Sequence, residues 1–174
     1  MAILLSQEDY DLARINPKVR KDFIRAIDLE DKAEFVSSVV YSRRKDSEGG
    51  LMMSYPSRRS ILGMSGGKSK ITVFMDAFYL QRLSDFLGCL IDHEGTHAEL
   101  NYKHPLKVLP TLTHETMKLV LKKGHIAAFE ELNCHSELLA FENQLANLDK
   151  RGKNSDYYLE LILLGIRDSL CLKY

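Results

Sequence analysis

At 174 residues the chain has the size of one compact domain, with 24 Lys plus Arg balanced by 24 Asp plus Glu and a formal net charge of zero. That length is enough to bury a core without covalent staples, and the balanced charge supplies no global field drawing the protein to nucleic acid or anionic lipid. Three widely spaced cysteines, Cys89, Cys134 and Cys171, with no CxxC pair, argue against a disulfide framework.

The apolar stretch MAILL at the N-terminus is too short for a signal-peptide core, and no run approaches the ~18 residues of a membrane span. The expectation is therefore a soluble, cytoplasmic protein with no membrane partner. From Pro17 to about Val40 the sequence reads as helical, with Asn16 as N-cap and Pro17 in the first turn. Phe23, Ile24, Ile27 and Phe35 supply its apolar stripe, across two helices broken between Asp28 and Asp31. The charged YSRRKDSEGG then reads as a loop, which closes a helical region over residues 1–50.

Residues 51–76 alternate short apolar runs with glycines and read as a small antiparallel β-hairpin. One strand is predicted near Ser60 to Met64 and another near Lys70 to Met75, joined around Ser65 to Lys68. The SGGK in that turn lacks the full GxxxxGK[ST] phosphate-loop pattern. Asp76 is predicted to cap a helix over residues 77–100 with Leu83, Phe86, Leu87, Leu90 and Ile91 on its apolar face. Pro105 and Pro110 bracket an irregular connection, and residues 111–174 read as helical. Helices are expected near Thr113 to Lys122, His125 to Leu148 and Ser155 to Cys171, broken at Gly124 and Gly152. The predicted fold class is α+β, mainly helical, in a single domain.

Within the third of these regions lies IDHEGTHAEL, residues 91–100. A helix stacks residues four apart on one face, so His93 and His97 can clasp one cation, on nearly the same side as the apolar residues. Glu94 then sits beside the metal. Two imidazoles, an open position for water and a carboxylate to take that water's proton are what a metallopeptidase requires. Gly95 costs a helix about 1 kcal/mol relative to alanine, so it is either a tolerated loss or room for another segment to approach closely. Cys89, one turn before His93, is either a thiolate that can approach the site or a buried apolar residue.

HEGTH on a helix after a β-hairpin resembles the zincin superfamily of zinc metallopeptidases. The metzincin extension HExxHxxGxxH would place glycine at Leu100 and histidine at Lys103, and His104 is one residue late. The resemblance is thus to gluzincins, whose third ligand is a Glu on a later helix. It implies Glu137 within HSELLAFENQ, where Ala140 is the small residue at i+3 that lets two helices approach. Asn133, Glu137, Ala140 and Gln144 share a face that is polar at its centre, which suits a ligand with hydrogen-bonded neighbours. Glu131 is the alternative ligand, followed by Glu130 and His135. Thermolysin-like gluzincins carry an Asp four residues after the ligand Glu; Phe141 stands there in this chain.

The resemblance implies a zinc ion held by His93, His97 and Glu137, water at the fourth position and Glu94 as general base. His114, Tyr102 and Tyr157 or Tyr158 are candidate donors to an oxyanion. The substrate would be a peptide or protein, paired along an edge strand near Tyr55, Arg58 and Arg59, or screened by the basic loop as an inhibitory segment. The alternative is a non-catalytic, metal-stabilised or regulatory interaction protein of similar fold. A closed shell with His135 or Cys89 as fourth ligand would be its mark.

Overall fold

A computed structural model describes residues 5–44, 51–61, 64–104, 125–151 and 156–171, which form a mixed α+β structure, mostly helical with a three-stranded sheet. Helix α1 (Gln7–Ile15), within the region expected to be helical, starts on a capping box. Ser6 Oγ accepts the Asp9 N–H at 3.2 Å and the Asp9 carboxylate accepts the Ser6 N–H at 2.9 Å, so two otherwise orphaned donors are satisfied. Helix α2 (Arg20–Ala26) begins later than the predicted Pro17, because residues 17–19 form a turn in which Asn16 Oδ1 accepts the Lys18 N–H.

The expectation of a wholly helical region over residues 1–50 is corrected by β1 (Val36–Tyr41), which follows a 3-10 turn at Glu30–Glu34. Strand β2 is Met52–Tyr55 and β3 is Ser69–Val73. The order is β1-β3-β2, with β1 parallel and β2 antiparallel to β3. The predicted hairpin is thus two strands of a mixed sheet, and the strand expected at Ser60 to Met64 is displaced by the short helix α3 (Arg58–Ile61). Ser57 Oγ accepts the Ser60 N–H at its start, a local bond that competes with extended pairing. With β3 in the centre, β2 is left as an edge strand.

Asp76 belongs to a 3-10 turn, Met75–Tyr79, and not to a helix cap. The predicted 77–100 helix begins instead at α4 (Leu83–Leu87), continues through a π-helical stretch (Gly88–Glu94) and ends as α5 (Gly95–Lys103). After residues 105–124, where the expected Thr113 to Lys122 helix lies outside the described residues, come α6 (His125–Ala146), α7 (Leu148–Arg151) and α8 (Asp156–Cys171). No helix among the described residues is long and apolar enough to cross a membrane.

The core joins the N-terminal helices and sheet to one side of the motif helix. Tyr10, Phe23, Phe78 and Phe86 form a ring cluster with centroids 5.1–6.3 Å apart, and Ile71, Val73, Leu90 and Ile91 are buried with them. Each such side chain contributes about 1.5–3 kcal/mol of transfer free energy. The Tyr10 hydroxyl donates to the Leu80 carbonyl at 3.0 Å, so the cluster carries its one phenol without an unpaired polar group. Helix α6 packs on the motif helix along a stripe centred on the fully buried Ala140.

Candidate metal centre

The motif helix is enclosed at its centre: Gly88, Leu90, Ile91, Asp92 and Glu94 of the π-helical stretch are all buried. Such π stretches within α-helices recur at functional sites. Two glycines let neighbours close in. A Cβ at Gly88 would meet the Tyr158 hydroxyl at 1.9 Å, and one at Gly95 would meet Lys32 Cγ at 2.7 Å. The helix-weakening glycine inside HEGTH is therefore matched by a side chain that uses its space.

His93 and His97 face α6, and Glu137 of that helix reaches between them. His93 Nε2 lies 3.2 Å from Glu137 Oε2, His97 Nε2 lies 3.3 Å from Glu137 Oε1, and the two Nε2 atoms are 3.3 Å apart. Donors at about 2.0–2.1 Å from one tetrahedral ion are themselves about 3.3 Å apart, so this set fits a small divalent cation. Two imidazoles and a carboxylate suit zinc and also other first-row divalent ions. Among the described residues, these three are the group of His, Cys, Asp and Glu side chains that can hold a metal.

Both rings are oriented from behind. Gln144 Oε1, which can only accept, lies 2.8 Å from His93 Nδ1, so that nitrogen carries the proton and the Nε2 lone pair is left to the site. The Ser136 hydroxyl lies 2.8 Å from His97 Nδ1. Burial works to raise the Glu137 carboxyl, but hydrogen bonds from His93 and His97 outweigh it and hold the group well below the usual carboxylate range. Glu94 lies outside the donor set and is 7% exposed. Burial raises its carboxyl, the charges of His93 and His97 and the backbone amide of Ser54 on edge strand β2 pulling the other way.

Three further contacts lock the two helices together, and none was singled out from sequence. Asn143 Nδ2 donates to the Asp92 carbonyl and to Thr96 Oγ1, both at 2.9 Å. Arg151 of α7 closes on the Asp92 carboxylate. Ser136 orients His97. The signal available was the set of polar residues Ser136, Asn143 and Gln144 around Ala140 on α6.

The other candidates fall elsewhere. The Tyr102 ring packs on Phe35 with centroids 5.4 Å apart. Tyr158 is buried behind the site with its oxygen accepting from Gln144 Nε2 at 2.8 Å. His135 is exposed. Cys89 is a free thiol with Sγ 3.8 Å from Gln144 Nε2, and burial pushes it up to about 12, so it is neutral at physiological pH. His114 lies outside the described residues, as do the side chains of Glu130, Glu131 and Tyr157, which sit on α6 and α8. No protein-family model, curated protein or solved structure matches the chain.

Proposed function

We propose that the protein is a metal-dependent peptidase, most closely of the zinc, gluzincin-like kind, in which His93, His97 and Glu137 hold the ion and Glu94 is the general base. The observation that carries this reading is the convergence of two imidazole Nε2 atoms, 3.3 Å apart, on one carboxylate whose oxygens lie 3.2 and 3.3 Å from them, with a buried carboxyl next in sequence to the first ligand. A mixed sheet whose edge strand lies against the motif helix, followed by a Glu-bearing helix, supports a zincin-like fold. Bound there, a divalent ion supplies Lewis acidity that polarises a carbonyl and acidifies water.

The chain's own residues do the rest. Glu94 takes the proton from the attacking water and returns it to the departing amine; its raised affinity for protons suits a group that must both accept and release one. Among the described residues no strand pairs with the outward edge of β2, and an extended peptide whose backbone paired there would bring a scissile carbonyl toward Glu94. A closed four-ligand shell, the mark of a structural site, draws no support from His135, which is exposed, or from Cys89, whose thiol is turned to Gln144.

Elemental analysis of the untagged protein, with His93→Ala, Glu94→Gln and Glu137→Ala alongside, tests this. Near-stoichiometric metal is expected in the native chain and in Glu94→Gln, and its loss in the two ligand variants. Cleavage of an unstructured protein substrate is expected from the native chain and should fall about 10²–10⁴-fold in Glu94→Gln. Metal without cleavage under any substrate screen favours the interaction protein; no metal even after zinc is offered rejects the centre.

A further inference from the structure

Behind the first ligand lies a buried chain of hydrogen bonds that the peptidase reading does not require. His93 Nδ1–H donates to Gln144 Oε1 at 2.8 Å, and Gln144 Nε2 donates to the Tyr158 hydroxyl oxygen at 2.8 Å. The second amide hydrogen is directed at Cys89 Sγ, 3.8 Å away. Tyr158 is 1% exposed and Gln144 3% exposed, so water does not compete.

The geometry points to Tyr158 as a positioning residue for the metal ligand His93, acting through the orientation of the Gln144 amide; this rests on the reading of His93, His97 and Glu137 as a metal centre. A glutamine amide has two nearly isosteric ends, and its orientation is decided by its neighbours. Here the Tyr158 oxygen and the Cys89 sulfur both lie against the amide nitrogen, so two acceptors face the two amide hydrogens and select the NH₂ end on that side. The carbonyl end then faces His93 and keeps the imidazole proton on Nδ1. The reversed amide would offer NH₂ to Nδ1, which must then be the bare nitrogen. The proton would sit on Nε2, the atom aimed at Glu137 and His97, and the ring would no longer be a ligand. Gly88 belongs to the same device, because any larger residue would occupy the position of the phenolic oxygen.

Successive hydrogen bonds pointing one way polarise one another, so the effect at His93 exceeds that of an isolated amide. Partners of metal-bound imidazoles typically change affinity 10–100-fold when altered. Tyr158→Phe keeps the ring and removes only the oxygen, and the expected result is an about tenfold weaker zinc affinity.

The test is zinc competition against a chromophoric chelator for the native chain, Tyr158→Phe, Gln144→Met and the double variant, each confirmed folded by circular dichroism. If Tyr158 acts through Gln144, Tyr158→Phe weakens binding in the native background and has no further effect once Gln144 is Met. Equal losses in both backgrounds would assign Tyr158 to general packing and overturn the inference, as would unchanged affinity in Tyr158→Phe. Should Tyr158→Phe fail to fold, Cys89→Ala, which removes the second acceptor beside the amide nitrogen, is expected to give a smaller loss that also vanishes with Gln144→Met, and its persistence there would overturn the inference. A native chain that binds no zinc removes the centre itself and this role with it, an outcome distinct from the other two.

Discussion

Asp92 and Arg151 meet as a two-pronged ion pair between the motif helix and α7. Arg151 Nε donates to Asp92 Oδ2 and Nη2 to Oδ1, each at 2.7 Å, with side chains 5% and 4% exposed. Because Asp92 directly precedes His93, the pair ties α7 to the backbone that carries the first ligand. Removing one member leaves the other charged and buried, which typically costs 3–5 kcal/mol. Asp92→Leu and Arg151→Met should therefore each lower the urea midpoint strongly, while the double variant regains most of the loss. Arg151→Lys should not substitute, since an ammonium cannot make the paired contact. Additive losses in the double variant would show that the pair is not the source.

Acid should weaken a second tie at the same place. Glu30 receives Lys150 Nζ at 2.6 Å and the Arg151 guanidinium, although its backbone is in the left-handed region at φ 53°. Burial works to raise its carboxyl, but the hydrogen bonds from Lys150 and Arg151 prevail and lower it. A group lowered on folding stabilises above its unfolded pKa of about 4.3, and that contribution is lost as pH falls through the folded value. Glu30→Gln should thus be less stable than the native chain at pH 7, with the gap closing below the ordinary carboxylate range. A gap independent of pH in chemical denaturation would rule out the charge and leave backbone strain.

What the sequence disclosed and what it hid follow from the range of the interactions. His93, Glu94 and His97 are legible because four-residue spacing on a helix is local information, and Glu137 only through the resemblance of HSELLAFENQ to a gluzincin ligand helix. Strand β1 was hidden inside a helical reading: Val36–Tyr41 is defined by its ladder with β3, Val39 opposite Ile71 and Tyr41 opposite Val73, a partner some thirty residues away. β2 was likewise missed at Met52–Tyr55, since its four residues gain strand character from pairing. Gln144 stood out as polar on an inward face, yet its role needs His93, 51 residues earlier. Asp92 and Arg151 gave no local sign of each other across 59 residues.

Ser136 offers a direct comparison with Gln144. Its hydroxyl lies 2.8 Å from His97 Nδ1 and the residue is buried. Ser136→Ala removes the partner without adding bulk, so zinc affinity should fall about tenfold while stoichiometric binding persists. Competition titration against a chelator distinguishes this from His97→Ala, which should abolish stoichiometric binding. An unchanged affinity would mean that α6 packing alone aims the ring.

The two glycines of the motif helix should respond differently to alanine. At Gly95 the obstacle is the stem of Lys32, with Cγ 2.7 Å from the added carbon. The stem can turn, although Lys32 is held at its end by Glu99, and the helix gains about 1 kcal/mol from the exchange. Gly95→Ala should therefore shift stability by no more than about 1 kcal/mol in either direction. At Gly88 the obstacle is rigid: the added carbon falls 1.9 Å from the Tyr158 oxygen and 2.9 Å from Cζ. The ring must be pushed out, at an overpacking cost of about 1–3 kcal/mol, and its bond to Gln144 is broken. Gly88→Ala should then lose both stability and zinc affinity, whereas Gly95→Ala keeps the affinity. Thermal midpoints with chelator titrations on both variants decide the matter, and a Gly88→Ala chain that binds zinc as tightly as the native one would break the link between this glycine and the ligand it helps to aim.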